Sequence, residues 1–242
     1  MMSLSGKIAV ITGSSEGIGY AVASALLTRG ASVVVTGTKQ DKLTQAAVNL
    51  RKLASSEEQV LAVQADVRRY QDVEKLIETT ATHFGSLDIL INNAGIGVWG
   101  SVSEISLDDW HAVLDTNLTG VFYCCRVALP HLQKNNSGWI INISSLASKN
   151  PFPGGSAYCA SKSALNAFSE VLMQEVRHDG IRVAHVLPGS VKTNFRGQSG
   201  KNIDWKLSPE DVAEVVTDLL MHPARSLPSR VELRPSRPPR GN

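Results

Sequence analysis

Cysteine is scarce in this chain, and the three that occur exclude two kinds of structure. Cys124 and Cys125 are adjacent and Cys159 stands apart, so they form neither a disulfide framework nor the CxxC pair of a metal site. The six histidines are scattered, and none lies at ligand spacing from a cysteine or from another histidine. We therefore expect reduced thiols and no metal site.

A strong net charge and long apolar runs are missing too. The 24 Lys and Arg nearly balance the 22 Asp and Glu, and the resulting charge of +2 gives no general attraction for a polyanion such as nucleic acid. No uninterrupted apolar run could span a membrane, and the first strand-like run starts at Lys7, too early for a cleavable targeting peptide before it. We expect neither nucleic acid nor membrane as a partner, and a cytoplasmic location.

The chain does contain seven short runs rich in Val and Ile. Most are apolar at consecutive positions, which is typical of strands covered on both faces, as in a parallel sheet. A hydrophobic fraction of 43% over 242 residues supplies a sizeable core. The predicted strands are Ile8–Ile11, Val33–Val35, Val60–Val63, Ile89–Ile91, Ile140–Ile143, Val183–Leu187 and Val231–Leu233.

Helix-length segments with helical spacing of apolar residues lie between these runs. Strand and helix alternate without a linker, so we predict an α/β fold, a single Rossmann-like doubly wound domain over residues 1–242 whose ligands bind beyond the carboxyl ends of the strands. The Pro- and Arg-rich tail at about 223–242 is expected to be solvated. The predicted helices are Tyr20–Arg29, Asp41–Leu53, Gln71–Phe84, Thr116–Gln133, Ala157–Arg177 and Pro209–Met221.

A glycine-rich turn follows the first strand and opens the first helix. Gly13 permits a sharp turn, Gly17 lets a pyrophosphate approach the backbone, and Gly19 allows the helix to pack closely on the strand. The spacing is GxxxGxG rather than GxGxxG, and alone it is also typical of an ordinary tight turn. As a dinucleotide site it predicts contacts from Gly13, Ser14, Ser15, Gly17, Ile18 and Gly19.

Tyr158 and Lys162 stand four residues apart on a predicted helix. Such residues share one face at a Cβ separation of about 5 to 6 Å, so an ammonium can lie beside a phenol. A nearby cation lowers the pKa of tyrosine from its usual value of about 10 and makes it a usable acid or base. A lone YxxxK, however, is most often a surface pair.

Several motifs occur together and in order: the glycine turn, Asn92-Asn93-Ala94-Gly95, Ser144-Ser145, the Tyr158 and Lys162 pair, and Pro188–Thr193. From about Lys7 to Met221 the chain thereby resembles the short-chain dehydrogenase/reductase family. The resemblance implies an enzyme that moves hydride between a nicotinamide cofactor and a carbonyl or alcohol.

The resemblance also implies a catalytic set of Asn117, Ser145, Tyr158 and Lys162. Tyr158 would be the acid/base, Ser145 would bind the reacting oxygen, and Lys162 would also hold the nicotinamide ribose. Asn117 matches the family asparagine that binds a relay water. The family serine stands about thirteen residues before the tyrosine, which selects Ser145 and leaves Ser144 as the lesser candidate.

Further cofactor contacts are implied at the ends of the other strands. Asp66 would accept a hydrogen bond from the adenine amino group, although an aspartate at this position could equally cap a helix. The segment Asn92–Gly95, taken alone, could be an Asx-rich turn. The implied contacts are Thr38, Lys39, Asp66, Val67, Asn93, Ala94, Gly95, Tyr158, Lys162, Pro188, Gly189, Val191 and Thr193.

The residues after the second strand indicate the cofactor type. Gly37 stands where NAD enzymes carry an acid that binds the ribose 2′-hydroxyl, and Lys39 could pair with a 2′-phosphate. Glu16 argues the other way, because an acid before the second glycine would repel phosphate, unless it turns toward solvent. We weigh the missing acid more heavily and expect NADP(H) to be favoured over NAD(H).

The segment from Lys192 to Leu207 lies where the family places a mobile lid over the substrate. The predicted pocket would favour a hydrophobic ketone or aldehyde, although each of its apolar residues could be structural. Besides Ser145, its residues are Ile96, Val98, Trp99, Phe152 and Trp205.

Two enzyme types resemble this chain by motif: carbonyl reductases and 3-oxoacyl-[acyl-carrier-protein] reductases. An acidic carrier protein requires basic residues near the site. Lys192, Arg196 and Lys201 are basic, but Pro130 and Asp179, near where carrier-binding Arg residues would be expected, are not. We therefore favour the carbonyl reductase. A cofactor-binding sensor or scaffold without turnover is the alternative from another class, and the intact catalytic groups argue against it.

The helices predicted at Thr116–Gln133 and Ala157–Arg177 resemble those through which relatives dimerise and form tetramers. We therefore expect a homo-oligomer, dimer or tetramer, besides a small-molecule substrate.

Overall fold

A computed structural model describes residues 4–193, 195 and 204–239. Within these ranges seven strands form one sheet in the order β3-β2-β1-β4-β5-β6-β7, and every neighbouring pair is parallel. The predicted doubly wound α/β fold is therefore confirmed. The strands are β1 (Ile8–Ile11), β2 (Ser32–Gly37), β3 (Val60–Gln64), β4 (Ile89–Asn92), β5 (Gly138–Ile143), β6 (Ile181–Pro188) and β7 (Arg230–Leu233).

Helices cover both faces of this sheet and enclose two apolar clusters. Buried side chains of α1, α2 and α7 pack on one face, and those of α3, α5 and α6 pack on the other. None of the helices in the described ranges is long and apolar enough to cross a membrane. The helices are α1 (Gly17–Leu27), α2 (Gln40–Arg51), α3 (Tyr70–Phe84), α4 (Leu107–Leu114), α5 (Gly120–Lys134), α6 (Ser156–Val176) and α7 (Pro209–Leu220).

One predicted helix boundary is wrong. The helix expected at Thr116–Gln133 is the end of a longer helical run that starts with α4, passes through a π-helical turn at Asp115–Thr119 and continues as α5. The hydroxyl of Ser106 caps α4 by accepting a hydrogen bond from the Asp109 N–H at 3.0 Å. α4 is eight residues long, shorter than the window of about 11 to 18 residues over which apolar spacing reveals a helix.

Gly120 begins α5 and packs against Val67, three residues after the end of β3. A Cβ at this position would lie 2.8 Å from Val67 Cγ2 and 3.0 Å from the Val67 carbonyl oxygen, closer than side chains pack. The contact fixes the start of α5 against the segment that carries Asp66 and Val67.

We expect Gly120→Ala to lower the free energy of unfolding by about 1 to 3 kcal/mol, because the added methyl overpacks a buried contact. Gly100→Ala is the matched control, since the nearest atoms to a Cβ there lie 3.6 to 3.8 Å away, at ordinary contact distance. Thermal melts of the two variants make the comparison. Equal melting temperatures would contradict the packing described at Gly120.

Candidate active site

The site is assembled from the residues that directly follow the strands, because parallel strands bring their carboxyl ends to one edge of the sheet. β1 leads into the glycine turn, β4 into Asn93, β5 into Ser144, and β6 into Gly189. These four strands are consecutive neighbours in the sheet, in the order β1-β4-β5-β6, and the direction in which the strands are added reverses between β1 and β4. In open α/β sheets such a reversal leaves a crevice at the carboxyl edge, where ligands bind.

The glycine turn packs directly on the residues after β4. Gly13 has a φ of 62°, and a Cβ there would lie 2.8 Å from Ala94 Cα. The Asn93 side-chain amide donates hydrogen bonds to the carbonyls of Thr12 and Gly13, each at 2.9 Å. Asn93 and Ala94 therefore stabilise the conformation of the glycine turn, whichever contacts they make with a cofactor.

Gly17 opens α1 with a φ of 62°, in the left-handed region that favours glycine. The residue before it, Glu16, places no side-chain acceptor on the first N–H groups of the helix. Those N–H groups and the helix dipole suit an anion. Thr193 lies across the crevice, with its Cγ2 3.4 Å from where a Gly17 Cβ would be. These features fit the pyrophosphate of a dinucleotide.

The two serines of the turn have different surroundings. Ser14 is fully buried; its hydroxyl donates to the Ile11 carbonyl at 2.7 Å and accepts from the Thr36 N–H at 2.9 Å. Ser14 thus joins β1 to β2, and this geometry gives it a structural role. Ser15 is half-buried, and its Oγ lies 3.3 Å from a Cβ built on Gly37.

Ser144 and Ser145 also separate by environment. The buried Ser144 hydroxyl donates to Asn166 Oδ1 at 2.6 Å, which ties the end of β5 to α6. Ser145 is partly exposed, and its hydroxyl accepts a hydrogen bond from the Ala147 N–H at 3.1 Å. Because that bond uses a lone pair, the Ser145 proton stays available for a substrate oxygen.

Asn117 lies in the π-helical turn and is fully buried. Its Oδ1 accepts from the Ile96 N–H at 2.8 Å, and its Nδ2 donates to the Ile96 carbonyl at 2.9 Å and to Ser161 Oγ at 3.0 Å. It therefore clamps the loop after β4 against α6. Ile96, expected in the substrate pocket, takes part through its backbone.

Lys162 is buried on α6, and its ammonium donates to the Ile143 carbonyl at 2.8 Å. Among the described residues this is its one hydrogen bond, so two of its three N–H groups remain for ligands such as ribose hydroxyls. The ammonium lies 6.0 Å from the Tyr158 ring centre and 3.6 Å from a Cβ built on Gly95. Burial lowers the pKa of Lys162 to about 8.

Aromatic rings surround Tyr158 at the open side of the site. Trp99 and Phe195 contact its ring at centroid distances of 5.3 and 5.6 Å, and Phe152 lies 5.7 Å from Trp99. We call these four residues the ring cluster. Trp205, expected in the pocket, contacts none of these rings in the described part of the chain and lies beside Lys206 instead. The sequence pointed to Phe195 only as part of the lid segment.

The adenosine end of the crevice follows β2 and β3. Asp66 forms an ion pair with Arg68, whose hydrogen bond to the carboxylate is the main cause that holds the pKa of Asp66 below its usual value. Val67 is buried against Gly120, while Thr38 and Lys39 are exposed after β2.

The segment after β6 is held by backbone hydrogen bonds. The Gly189 N–H donates to the Leu233 carbonyl at 2.8 Å, so β7 supports the turn after Pro188. Val191 forms an isolated bridge with Leu207. Thr193 follows it, but most of the predicted lid, residues 194 and 196–203, lies outside the described residues. In the ranges that are described, no three His, Cys, Asp or Glu side chains gather as metal ligands.

Comparisons with known proteins agree with this architecture. The family described as short chain dehydrogenase matches residues 7–204. An uncharacterized oxidoreductase of Staphylococcus saprophyticus is 33% identical over 236 residues, 97% of this chain and 100% of that protein. An uncharacterized oxidoreductase of Staphylococcus aureus strain MRSA252 is also 33% identical, with the same coverage. The chain belongs to the short-chain dehydrogenase/reductase family and is an oxidoreductase.

Two solved structures are similar over nearly their whole length. An alcohol dehydrogenase of the archaeon Thermococcus sibiricus, complexed with 5-hydroxy-NADP, has a TM-score of 0.88 and 30% identity, covering 97% of this chain and 99% of that one. A metagenomic short-chain oxidoreductase in complex with NADP has a TM-score of 0.85 and 32% identity, covering 98% and 100%. The Rossmann-like fold is thus shared with family members of known structure.

The contrast between the two serines gives a test. With the role expected for Ser145, Ser145→Ala should lower kcat by about 100-fold or more, because it would remove a donor to the reacting oxygen. Ser144→Ala should leave kcat nearly unchanged but lower the free energy of unfolding by about 1 to 3 kcal/mol, because Asn166 loses a buried partner. Steady-state kinetics and thermal melts separate the two. A larger loss of kcat from Ser144→Ala would overturn the assignment.

The lowered pKa of Lys162 predicts a pH dependence. Below pH about 8 the ammonium is charged, and above it the charge is lost, so the stabilisation that we expect Lys162 to give a Tyr158 phenolate would be lost as pH rises. We expect kcat/KM for carbonyl reduction to fall as pH rises through this value. A profile that stays flat for more than one pH unit above it, in protein that circular dichroism shows to be folded, would contradict the role of Lys162.

Proposed function

We propose that this oxidoreductase reduces hydrophobic ketones or aldehydes to alcohols with NADP(H) as its preferred cofactor. The observation that supports this most strongly is that Lys162 lies beside Tyr158 on α6, at one end of the crevice. Ser145 follows β5, and the other rings of the ring cluster surround Tyr158 at the open side. A polar reacting centre thus adjoins an apolar surface.

The residues present fit a nicotinamide dinucleotide. The glycine turn and the first N–H groups of α1 would hold the pyrophosphate, Asp66 would take the adenine amino group, and Lys162 would take the nicotinamide ribose hydroxyls with its two remaining N–H groups. When bound, the reduced cofactor supplies a hydride to the carbonyl carbon. Val191 and Thr193 would contact the nicotinamide carboxamide.

The proton that the carbonyl oxygen receives comes from the protein's own residues. Tyr158 Oη gives its proton to the carbonyl oxygen as negative charge develops there, and the Ser145 hydroxyl donates a hydrogen bond to the same oxygen. The nearby Lys162 ammonium stabilises the phenolate left on Tyr158. Asn117 keeps the loop after β4 in place against α6.

The preference for NADP(H) rests on the end of β2. Gly37 carries no carboxylate to bind a ribose 2′-hydroxyl or to repel a 2′-phosphate, and Lys39 is exposed beside it. Both solved relatives named above are complexes with NADP or a derivative of it, which agrees with this preference.

The substrate class follows from the ring cluster. Trp99 and Phe195 are partly exposed around Tyr158, so an apolar substituent on the carbonyl would bury their surface. A reductase for carrier-bound 3-oxoacyl groups has weaker support: Lys192 is paired with Asp204 at 3.3 Å, and Arg196 and Lys201 lie outside the described residues.

We also infer a single domain, a homo-oligomer and a cytoplasmic location. The exposed Phe122 on α5 and Val171 on α6 offer apolar surface for a second copy of the chain. Cys124, Cys125 and Cys159 are free thiols, which suits a reducing compartment.

The test is oxidation of NADPH and of NADH by the purified protein with a panel of aromatic and aliphatic ketones. Wild type should show higher kcat/KM with NADPH, and Tyr158→Phe should lower kcat by about 100-fold or more while the cofactor still binds. Tyr123→Phe is the control, because that ring packs against Tyr70 on α3, away from the reacting groups.

Three results would count against the proposal. Equal rates for wild type and Tyr158→Phe would remove the proposed acid/base. Higher kcat/KM with NADH would reverse the cofactor preference. Cofactor binding without turnover on any ketone or aldehyde would favour a sensor or scaffold.

A further inference from the structure

The last strand, β7, leads the chain back to the turn that carries Ser145. After β7, Pro235 places its Cδ 2.9 Å from where a Cβ on Gly189 would be, and the Gly189 N–H donates to the Leu233 carbonyl at 2.8 Å. Leu146, the residue after Ser145, approaches the same point with its Cδ1 at 3.3 Å. The C-terminal segment and the turn after Ser145 therefore meet at Gly189.

The turn after Ser145 is a short 3-10 helix, Leu146–Ser148, that sets the direction of the Ser145 hydroxyl. The Ala147 N–H donates to Ser145 Oγ at 3.1 Å, and the Ser148 hydroxyl donates to the Ser145 carbonyl at 2.6 Å. Lys149 follows at the C-terminal end of this turn. A movement of the turn would therefore move Ser145 Oγ with it.

Glu232 on β7 holds the end of this turn through an ion pair with Lys149. The other oxygen of its carboxylate pairs with Arg234 at 2.9 Å. Hydrogen bonds from Lys149 and Arg234 keep the pKa of Glu232 below its usual value, so the carboxylate is charged at neutral pH. Since Glu232 stands opposite Leu187 of β6, the pair links β7 across the end of β6 to the turn after β5.

Helix α6 holds the same turn from another side. Asn166 Nδ2 donates to Ser148 Oγ at 2.8 Å, and the Ser163 hydroxyl donates to the Ser148 carbonyl at 2.9 Å. The same helix carries Tyr158. The turn is thus fixed at Ser148 by the helix of the proposed acid/base, and at Lys149 by β7.

We propose that Glu232 is a positioning residue for the reaction: through Lys149 it holds the turn that directs the Ser145 hydroxyl toward the reacting oxygen. This inference rests on the proposed function, in which Ser145 and Tyr158 act on the same carbonyl oxygen. A catalytic group displaced by about 1 Å can cost about 100-fold in rate. Because the contacts at Gly189 and Ser148 remain when the ion pair is removed, we expect a smaller loss of about tenfold.

The ion pair can be removed without unfolding the protein. The Lys149 and Glu232 side chains are 42% and 26% exposed, and ion pairs at such positions contribute little to stability. Thermal melts of the variants should therefore stay close to that of wild type, which separates a change in rate from a loss of folded protein.

Steady-state kinetics with NADPH and one aromatic ketone give the first measurement. Glu232→Met and Lys149→Met should each lower kcat about tenfold and change KM by less than about twofold, since the contact acts on the chemical step and not on substrate binding. Lys149→Arg keeps the positive charge and should retain kcat within about twofold. A wild-type kcat for Glu232→Met would overturn the proposal.

Two variants are matched controls. Lys7→Met removes an ion pair with Asp88 at the opposite edge of the sheet, and the Lys7 side chain is 46% exposed, close to the value for Lys149. Arg234→Met removes the second partner of Glu232 and leaves its pair with Lys149. Both should keep kcat within about twofold of wild type. A tenfold loss in either would mean that the effect is not specific to the Glu232 and Lys149 pair.

A double-mutant cycle shows whether the effect passes through Ser145. Adding Glu232→Met to Ser145→Ala should lower kcat by less than about twofold further, because the hydroxyl that the turn directs is gone. If Glu232→Met instead costs the same factor with and without Ser145, the two residues act independently, and Glu232 does not position Ser145.

Hydrogen exchange followed by mass spectrometry tests the same contact without turnover. In Glu232→Met, peptides spanning residues 145–150 should exchange about threefold faster or more, because the turn opens more often, and in Lys7→Met they should match wild type. Unchanged exchange in Glu232→Met would contradict the proposal. If wild type reduces no carbonyl at all, the proposed function fails, while the exchange rates still decide whether Glu232 holds the turn.

Discussion

Burial of the parallel sheet on both faces is the constraint on which the site depends. All residues of β1, β4 and β5 are buried, so the chain has no room for exposed polar groups along the central strands. Even Asn92 and Asn142 within them are buried, with the Asn92 amide donating to Asn142 Oδ1 at 2.8 Å. Groups that must meet a ligand therefore follow the strands, at the edge where the carboxyl ends converge.

Lys162 is a buried cation at this edge of the sheet, where it contacts the end of β5. Burying an ammonium is unfavourable, and the Ile143 carbonyl satisfies only one of its three donors. A buried charge with donors to spare is unusual for a residue that only stabilises a fold, and it suits one that orders ribose hydroxyls and favours a phenolate. The neighbouring Asn117 and Ser144 are, by contrast, fully engaged in holding α6 to the sheet.

The fold and the order of the motifs could be predicted because they depend on local patterns. Consecutive apolar residues predicted all seven strands within a few residues, and the glycine turn, Tyr158 and Lys162 follow from spacing. Features that depend on three-dimensional contacts were not predictable. The π-helical turn before α5, the burial of Ser14 between β1 and β2, and the pairing of Glu16 with Lys42 across 26 residues carry no local signal. Phe195 joins the ring cluster only through the path of the chain after β6.

The central claim is that this site passes hydride from the cofactor to a carbonyl carbon while Tyr158 supplies the proton. The most direct measurement uses NADPH deuterated at the transferring position and an aromatic ketone, followed by mass spectrometry and NMR of the alcohol. We expect one deuterium, located on the carbinol carbon, and about 100-fold less of this deuterated alcohol from Tyr158→Phe over the same time. An alcohol without deuterium at that carbon, or bound cofactor that is never oxidised by any ketone or aldehyde offered, would contradict it.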